Sequence, residues 1–422
     1  MNTPNWNQHT HFVALDWATE KHQIVVLDTT GQIVEDFVFK HEPEEWRKCR
    51  QRLAAYPRIV LAVESGSSVV VEQLLLLGRP VYVVPAKSSR GYRQRKLPSG
   101  IKNDFVDAWC LASALRSEGA DWRSVHQPDE ITLELRHLCR DQVALIGQRT
   151  MIVNQLIATL REYYPVAVAA FDDWTAPFTW AFLERFPSTE ALHKAGQRSW
   201  EKFLHTHGLA RPTTYQKRLN LFADKQPLAV NRGVVEAKRL QAISFARILK
   251  VIQAQIEEYD QCIHKVFLQH PDHALFSSLP AAGRRIAPRL LGEIGANREA
   301  FPSCQSLQCH AGTAPASFQS GQIHKVAIRR ACNKHLRAAV HLWANLSIQF
   351  CPWAKVYYQT HRDRGKSHAC ALRSVGQRWL KILWKMWQSN ASYDPELHAR
   401  NQLKHGSWVL KLMQKPAEQG CE

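Results

Sequence analysis

The sequence lacks any apolar segment of membrane-spanning length. No part of its 422 residues approaches the ~20 uninterrupted apolar residues that a transmembrane helix needs. The first ten residues, MNTPNWNQHT, contain no apolar run of the signal-peptide type. We therefore expect a cytoplasmic protein with no membrane partner.

Closely paired cysteines are also missing, since none of the ten cysteines forms a CxxC pair. In a long cytoplasmic chain such scattered cysteines are typical of reduced thiols. A zinc site would have to be assembled from Cys304, Cys309, His310, Cys332 and His335. Their spacings, C-x4-C-H and C-x2-H, match no common pair of zinc ligands closely, so zinc is the weaker hypothesis.

Acidic residues are scarce relative to basic ones. The chain has 37 Asp and Glu against 55 Lys and Arg, a formal net charge of +18. Such an excess favours a polyanionic partner, of which nucleic acid is the commonest, although a basic protein without such a partner is the alternative. The length predicts two or three globular domains.

The first 120 residues have an α/β pattern. Apolar or alternating runs predict strands over 11–17, 22–28, 33–39, 58–65 and 79–85, and helices over 43–56 and 67–78. A basic loop over 86–102 follows the fifth strand, and a further helix starts near Asn103. The predicted order of elements is therefore βββαβαβα. In such a sheet the first and fourth strands are neighbours at the centre.

The rest of the chain has mostly helical patterns. Residues 131–164 and 232–268 predict two long helices that could pair antiparallel, with a small helical insert over 172–230. The apolar seam of 131–164 fits either packing within the monomer or a coiled-coil arm for self-association. The predicted domains are an α/β domain (1–125), a coiled-coil-like helical region (126–270), a mostly α domain (271–395) and a tail (396–422).

Four carboxylates are placed to meet at one edge of the predicted sheet. Asp16 and Glu64 end the first and fourth strands, and Asp104 and Asp107 lie one turn apart near a helix start. Taken singly, each has an ordinary structural role as the alternative. Together they would repel one another unless divalent cations such as Mg²⁺ neutralised them, and a two-metal site suits phosphodiester chemistry.

These carboxylates lie in three motifs that resemble those of the DEDD-type insertion-sequence transposases, a family that includes DNA invertases. The motifs are LDW (15–17), VES (63–65) and KNDFVDA (102–108). In order and spacing, three later segments resemble that family's second conserved domain: LPAAGRRIAPRLLGEIG (279–295), HAGTAPASFQSG (310–321) and NKHLRAA (333–339). The chain departs from the family pattern at Ala281-Ala282, where a pair such as Gly-Ile is common, and at Cys332, where Gly usually precedes Asn.

The resemblance implies a RuvC-like (RNase H-like) N-terminal domain in which Asp16, Glu64, Asp104 and Asp107 bind Mg²⁺ or Mn²⁺. It also implies that Ser320 is a nucleophile that forms a covalent serine–DNA intermediate, with Ser317 as the second choice. Residues 311–321, AGTAPASFQSG, have the Gly, Pro and Ser content of a loop. From residue type alone, a serine in a loop is far more often structural. In the family, the serine of one subunit works beside the acidic site of another, so the resemblance implies a homo-oligomer, a dimer or tetramer.

Basic residues surround both predicted sites and are candidates for contacts to nucleic-acid phosphates. They are Arg93, Arg95, Lys96, Lys102, Lys325, Arg329, Arg330 and Arg337. A solvated basic surface is the alternative. Relatives in the resembled family use a structured RNA to bridge two DNAs, so the resemblance implies DNA and bridging-RNA partners. The leading hypothesis is a DNA recombinase, and the alternatives are a metal-dependent, junction-resolvase-like nuclease and a non-catalytic nucleic-acid-binding protein.

Overall fold

The structure is a computed structural model that describes residues 6–64, 68–125, 129–223 and 231–413. The chain divides into two compact units, 1–127 and 128–422. Ser65 of the VES motif and the end of the predicted tail, from residue 414, lie outside the described residues.

The first unit contains a five-stranded mixed sheet in the order β3-β2-β1-β4-β5. β1 pairs antiparallel with β2 and parallel with β4, so the predicted central position of the first and fourth strands is confirmed. This mixed α/β sheet is consistent with the predicted RNase H-like fold. The elements are β1 His11–Trp17, β2 Lys21–Asp28, β3 Ile33–Lys40, α1 Pro43–Ala54, β4 Ile59–Glu64, α2 Ser68–Leu75, β5 Val81–Val84, α3 Ala86–Lys96 and α4 Asp104–Glu118.

The predicted basic loop over 86–102 is wrong for its first eleven residues, which form α3. Apart from Gly91, this segment is rich in Ala, Lys, Arg and Gln, which are good helix formers. The ring of Tyr92 also packs against Trp122, with ring centroids 5.8 Å apart. The high density of charged residues predicted a loop. Helical propensity and this tertiary contact together favour the helix instead.

Helices cover both faces of the sheet because its central strands are apolar on both sides. Val13 and Leu15 of β1 pack in a cluster with α1 and α2. Phe12 and Ala14 of β1 face the other way and pack in a cluster with α4. Side chains alternate along a strand, so Asp16 projects from the face that α4 covers.

The second unit is mostly helical, with one two-stranded hairpin. Its elements are α5 Glu130–Tyr163, α6 Pro165–Ala170, α7 Pro177–Arg185, α8 Thr189–Ala195, α9 Gln197–Thr206, α10 Pro212–Ala223, α11 Arg232–Gln269, α12 His273–Ser277, α13 Gly283–Ile294, α14 Cys304–His310, β6 Ala316–Ser320, β7 Ile323–Ala327, α15 Lys334–Phe350, α16 Pro352–Asp363, α17 His368–Gln388, α18 Pro395–Lys404 and α19 Trp408–Met413.

Helices α5 and α11 pair antiparallel, as predicted. Gln142 donates to Asp260 (2.7 Å) and Thr159 to Gln241 (3.3 Å), so residues later in α5 meet residues earlier in α11. Within the described ranges, α5 is also the one helix whose length and composition would allow it to cross a membrane, and one such helix is weak evidence. The coiled-coil interpretation stays a prediction.

Two hydrophobic cores lie at opposite ends of this helix pair. One joins the later part of α5 and the earlier part of α11 to the insert helices α6–α10. The other joins Leu135 of α5 and Ile263 of α11 to α13, α15 and α17. The predicted boundary near residue 271 falls within this second core, so the subdivision of residues 128–422 stays a prediction.

Ala281, one of the departures from the family pattern, has a strained backbone conformation. Ala281 has φ of 60°, a left-handed conformation that costs a non-glycine residue roughly 1–2 kcal/mol. Glycine adopts this conformation freely, which gives a physical reason for the small residue that the family prefers after the Leu-Pro turn.

We expect Ala281→Gly to stabilise the protein by about 0.5–1 kcal/mol, because relief of strain outweighs the added freedom of the unfolded chain. The neighbouring Ala282 is buried and has φ of −76°, so Ala282→Gly should instead destabilise it. Urea denaturation of the two variants measures both changes. A loss of stability in Ala281→Gly would contradict the strain argument.

Candidate active site and nucleic-acid-binding surfaces

Asp16 and Glu64 come together because β1 and β4 are adjacent and parallel. Leu15 and Val63 are register partners, and Asp16 and Glu64 each follow by one residue. Ala62 packs in the cluster with α4, so Glu64, two residues later, projects from the same face as Asp16. Two carboxylates therefore lie side by side where the central strands end.

The start of α4 brings Asp104 and Asp107 to the same place. Asn103 caps the helix, its side-chain oxygen accepting from Val106 N–H at 2.7 Å. Ala108 and Leu111 of α4 pack against the sheet. Asp104 and Asp107 each precede one of these residues by four positions, so they lie on the same, sheet-facing side of the helix near its start.

The pKa of Asp16 reports how close these groups are. Burial raises it most, and the charges of Asp107, Asp104 and Glu64 raise it further, to about 7. Lys102, one of the predicted phosphate-binding residues, offsets part of this effect. The structure thus places the other three predicted acids within electrostatic range of Asp16.

Arg93 forms an ion pair with Asp107, and both side chains are largely buried. Within the described ranges, no group of three or more His, Cys, Asp or Glu side chains converges as metal ligands do, here or among the zinc candidates. The donor chemistry nevertheless suits a hard divalent cation, because four carboxylates share the site and one carries a strongly raised pKa. A cation would compete with Arg93 for Asp107.

Gln23 also lies at this site, although its sequence pattern was not among those that predicted site residues. Gln23 is the register partner of Asp16 on β2, and Val25 of the same strand packs in the cluster with α4. Strand alternation therefore places the buried Gln23 side chain on the α4 face beside Asp16. The signal in the sequence was a polar residue, Gln23, directly before the apolar run IVVL of the strand KHQIVVLD.

Ser320 lies at the end of a β-hairpin and not in the predicted loop over 311–321. It is the last residue of β6, pairs with Ile323 of β7, and precedes Gly321, whose φ is 54°. Strand alternation places Ser320 and Phe318 on one face and Ser317 on the other. The two candidate nucleophiles therefore point in opposite directions.

The hairpin projects into solvent. Phe318, Ile323 and Val326 are 59%, 68% and 69% exposed. Within the part of the chain that the structure describes, the Ser320 hydroxyl has no hydrogen-bond partner, so no neighbouring base activates it there. A two-stranded hairpin exposed in this way is marginal on its own in water.

A polar network around the buried Glu293 lies at the start of α15, which follows this hairpin, and was also missed. Asn333 caps α15, accepting from Leu336 N–H at 3.0 Å, and its amide donates to Glu293 at 2.7 Å. Arg140 donates twice to Glu293, at 2.7 and 2.8 Å. Burial raises the pKa of Glu293, but the Arg140 and Asn333 hydrogen bonds outweigh it and hold the pKa below its usual value.

Two family models match the chain. A DEDD-type transposase model named for IS110 matches residues 13–165, which include all four carboxylates. A second model, for transposases of the IS116/IS110/IS902 family, matches residues 273–359, which include the Ser320 hairpin and Asn333. The chain belongs to the IS110/IS116 family of insertion-sequence transposases.

Relatives resemble this transposase over nearly their whole length. A Streptomyces coelicolor protein described as a mini-circle transposase for IS117 is 27% identical over 92% of this chain and 96% of its own. The 43.6 kDa protein of insertion element IS110 from the same organism is 27% identical over the same shares. The 42 kDa protein of IS900 from Mycobacterium paratuberculosis is 26% identical over 78% of this chain and 82% of its own.

Membership implies that the transposase binds DNA and cuts and transfers its strands, and the DEDD-type match indicates dependence on a divalent metal. Three of the predicted phosphate-binding residues have partners within the protein. Arg93 pairs with Asp107, Arg95 donates to Glu118 at 2.6 Å, and Lys96 donates to Ser113 at 2.5 Å.

The predicted phosphate-binding residues of the second unit form fewer contacts within the protein. Lys325 is exposed opposite Phe318 on the hairpin, and Arg330 is exposed just beyond it. Arg329 makes only a long hydrogen bond, 3.4 Å, to the Pro315 carbonyl. Arg337 lines a cavity at the start of α15. Among the predicted phosphate contacts, those that follow Ser320 are the more available.

Proposed function

We propose that this transposase moves its insertion sequence by serine recombination, in which Ser320 cuts DNA and holds one end covalently. Asp16, Glu64, Asp104 and Asp107 would hold Mg²⁺ or Mn²⁺ in a RuvC-like site. One observation carries the proposal: the half-buried Asp16 has a pKa raised to about 7 by burial and by three further carboxylates, Asp107 and Asp104 at the start of α4 and Glu64 on the neighbouring strand β4.

The metal, when bound, would neutralise charge on the scissile phosphate and lower the pKa of the attacking hydroxyl. The Ser320 oxygen attacks phosphorus and loses its proton, and the bond from phosphorus to one deoxyribose oxygen breaks. That oxygen leaves and takes up a proton. A hydroxyl of a second DNA strand then attacks the phosphoserine, rejoins the DNA and releases Ser320, so no water is consumed.

We further propose that the active site is composite and that a structured bridging RNA guides the reaction. The exposed hairpin supports the first point, because the Ser320 hydroxyl needs an activating site beyond the residues around it. The net charge of +18 supports polyanionic partners in general. In this proposal the protein works as a dimer or tetramer in the bacterial cytoplasm, at the nucleoid when bound to DNA.

The test is a cleavage assay on DNA that carries the element's own ends, with Mg²⁺ and the transcript of its flank. Products are run on a denaturing protein gel, and we expect a Mg²⁺-dependent protein–DNA adduct. Cut DNA with free ends and no adduct would favour the nuclease alternative. Binding without cutting would favour the non-catalytic one. Omitting the transcript tests the RNA separately.

A further inference from the structure

The start of α15 and the start of α17 line an open cavity of about 520 Å³ whose charged lining is entirely basic. Lys334, Arg337 and His341 line it from α15, and His368 and Arg373 line it from α17. No Asp or Glu lies among the residues that line the cavity. Five cationic or protonatable groups thus face one space with no anion to balance them.

The sequence around the cavity is nearly free of acids. Residues 301–393 contain thirteen Lys and Arg but a single acidic residue, Asp363. Asp363 accepts a hydrogen bond from Gln359 at 2.7 Å and does not line the cavity. An ion of opposite charge therefore has to come from outside this segment.

Both helix N-termini add to the positive potential. Lys334 and His368 are the first residues of helices of 17 and 21 residues, whose N-terminal dipole ends favour anions. The pKa of His341 is lowered, chiefly by burial and then by the charges of His368, Arg373 and Arg337. The basic groups beside His341 therefore disfavour its protonated form, as expected where no anion balances them.

The cavity lies at the base of the Ser320 hairpin. Thr313, which precedes β6, and Ile328, which follows β7, both line it. Ser320 pairs with Ile323, five residues from Ile328, which is roughly 16 Å along a strand. One strand of B-form DNA advances roughly 3.4 Å per nucleotide, so this distance spans about five nucleotides.

We propose that this cavity binds a backbone phosphate of the DNA strand that Ser320 attacks, about five nucleotides from the cut bond. The proposal rests on the proposed function for the identity of that strand. Lys334 and Arg373 of the cavity become additional phosphate-binding residues. Arg337, already predicted to bind phosphate, binds it in this cavity. The cavity holds the strand in register so that a phosphate at the hairpin end meets Ser320.

The first test is DNA binding by a double variant, Lys334→Gln with Arg373→Gln. Fluorescence anisotropy with a labelled mixed-sequence 30-base-pair duplex is measured over a range of salt concentrations. We expect the slope of log affinity against log salt to fall by about 1 to 2, since each lost phosphate contact removes about 0.9. An unchanged slope would overturn the proposal.

The matched control is Lys381→Gln with Lys385→Gln, which removes two exposed charges from α17 outside the cavity. Equal losses in the two double variants would show only a general charge effect and would also overturn the proposal. The same measurement with RNA of identical sequence identifies the occupant, because a loss confined to RNA contradicts a DNA site. Melting temperatures of the variants check folding.

A second test places the phosphate. Element-end DNA is made with a single neutral methylphosphonate at each position from one to ten nucleotides from the cut bond. We expect cleavage by the wild type to fall at about the fifth position, and the cavity variant to be insensitive there. If the wild type forms the adduct but the cavity variant binds DNA with the same salt dependence as the wild type, the cavity inference alone is contradicted. If the cavity variant shows altered DNA binding but the wild type forms no adduct, the serine mechanism alone is contradicted.

Discussion

We expect Ser320→Ala to abolish the protein–DNA adduct and to slow strand exchange by roughly 10⁴-fold or more, on the scale of other nucleophile deletions. The loss should be this large because the methyl group cannot attack phosphorus and within the described residues Ser317 lies on the opposite face of the hairpin. DNA binding should be unaffected, because the hydroxyl is exposed and the substitution removes no charge. The adduct is measured on a denaturing gel and binding by anisotropy.

Ser317→Ala is the matched control, since it removes the same group from the same strand. It should keep the adduct at the wild-type level. An adduct that survives Ser320→Ala and disappears in Ser317→Ala would make Ser317 the nucleophile. Full recombination by Ser320→Ala, with complete loss in Asp16→Asn, would show that a metal-only route suffices and would end the serine mechanism.

The acidic site could be predicted from the sequence because its position depends on local patterns. Phe12, Ala14 and Asp16 share one strand face by alternation, as do Val60, Ala62 and Glu64. The order βββαβα makes the two strands neighbours, and the structure confirms that pairing. The roles of these residues as metal ligands remain a prediction that the geometry supports.

Other features depend on contacts that local patterns do not encode. Glu293 meets Arg140 across 153 residues of sequence and Asn333 across 40, so no periodicity connects them. The hairpin escaped prediction because its strands are only five residues each and largely exposed, and Ser320 and Lys325 interrupt the apolar face that Phe318 begins. Arg93 was expected to bind phosphate, and only its position beside Asp107 in the fold gives it an internal partner.

Asp16→Asn is expected to lower strand cleavage by roughly 10³-fold while making the metal-free protein more stable at neutral pH. The first effect follows from the loss of a ligand that would hold the metal, which supplies several kcal/mol of charge stabilisation in the transition state. The second follows first from the burial of the Asp16 carboxylate and then from the charges of Asp107, Asp104 and Glu64, since a neutral asparagine amide avoids both costs.

The pH dependence of stability gives the sign of this second effect. The pKa of Asp16 is about 7 in the folded protein and 3.8 in the unfolded chain. Between these values the folded state binds more protons, so this group's contribution to stability falls as pH rises from 3.8 to 7. Asp16→Asn should therefore stabilise the protein at pH 8, by on the order of 1–2 kcal/mol after allowance for solvent screening, and should match the wild type near pH 4.

Thermal melting in EDTA at pH 4, 6 and 8 measures this change, and Asp36→Asn on the exposed edge strand β3 serves as a control for charge alone. Added Mg²⁺ should raise the melting temperature of the wild type more than that of Asp16→Asn, because binding to the folded state stabilises it in proportion to affinity. A variant that melts below the wild type at pH 8 and responds equally to Mg²⁺ would make Asp16 a structural residue. An inactive but more stable Asp16→Asn would show that this cluster is maintained at a cost in stability, which is the expected property of a metal site and not of a structural ion pair.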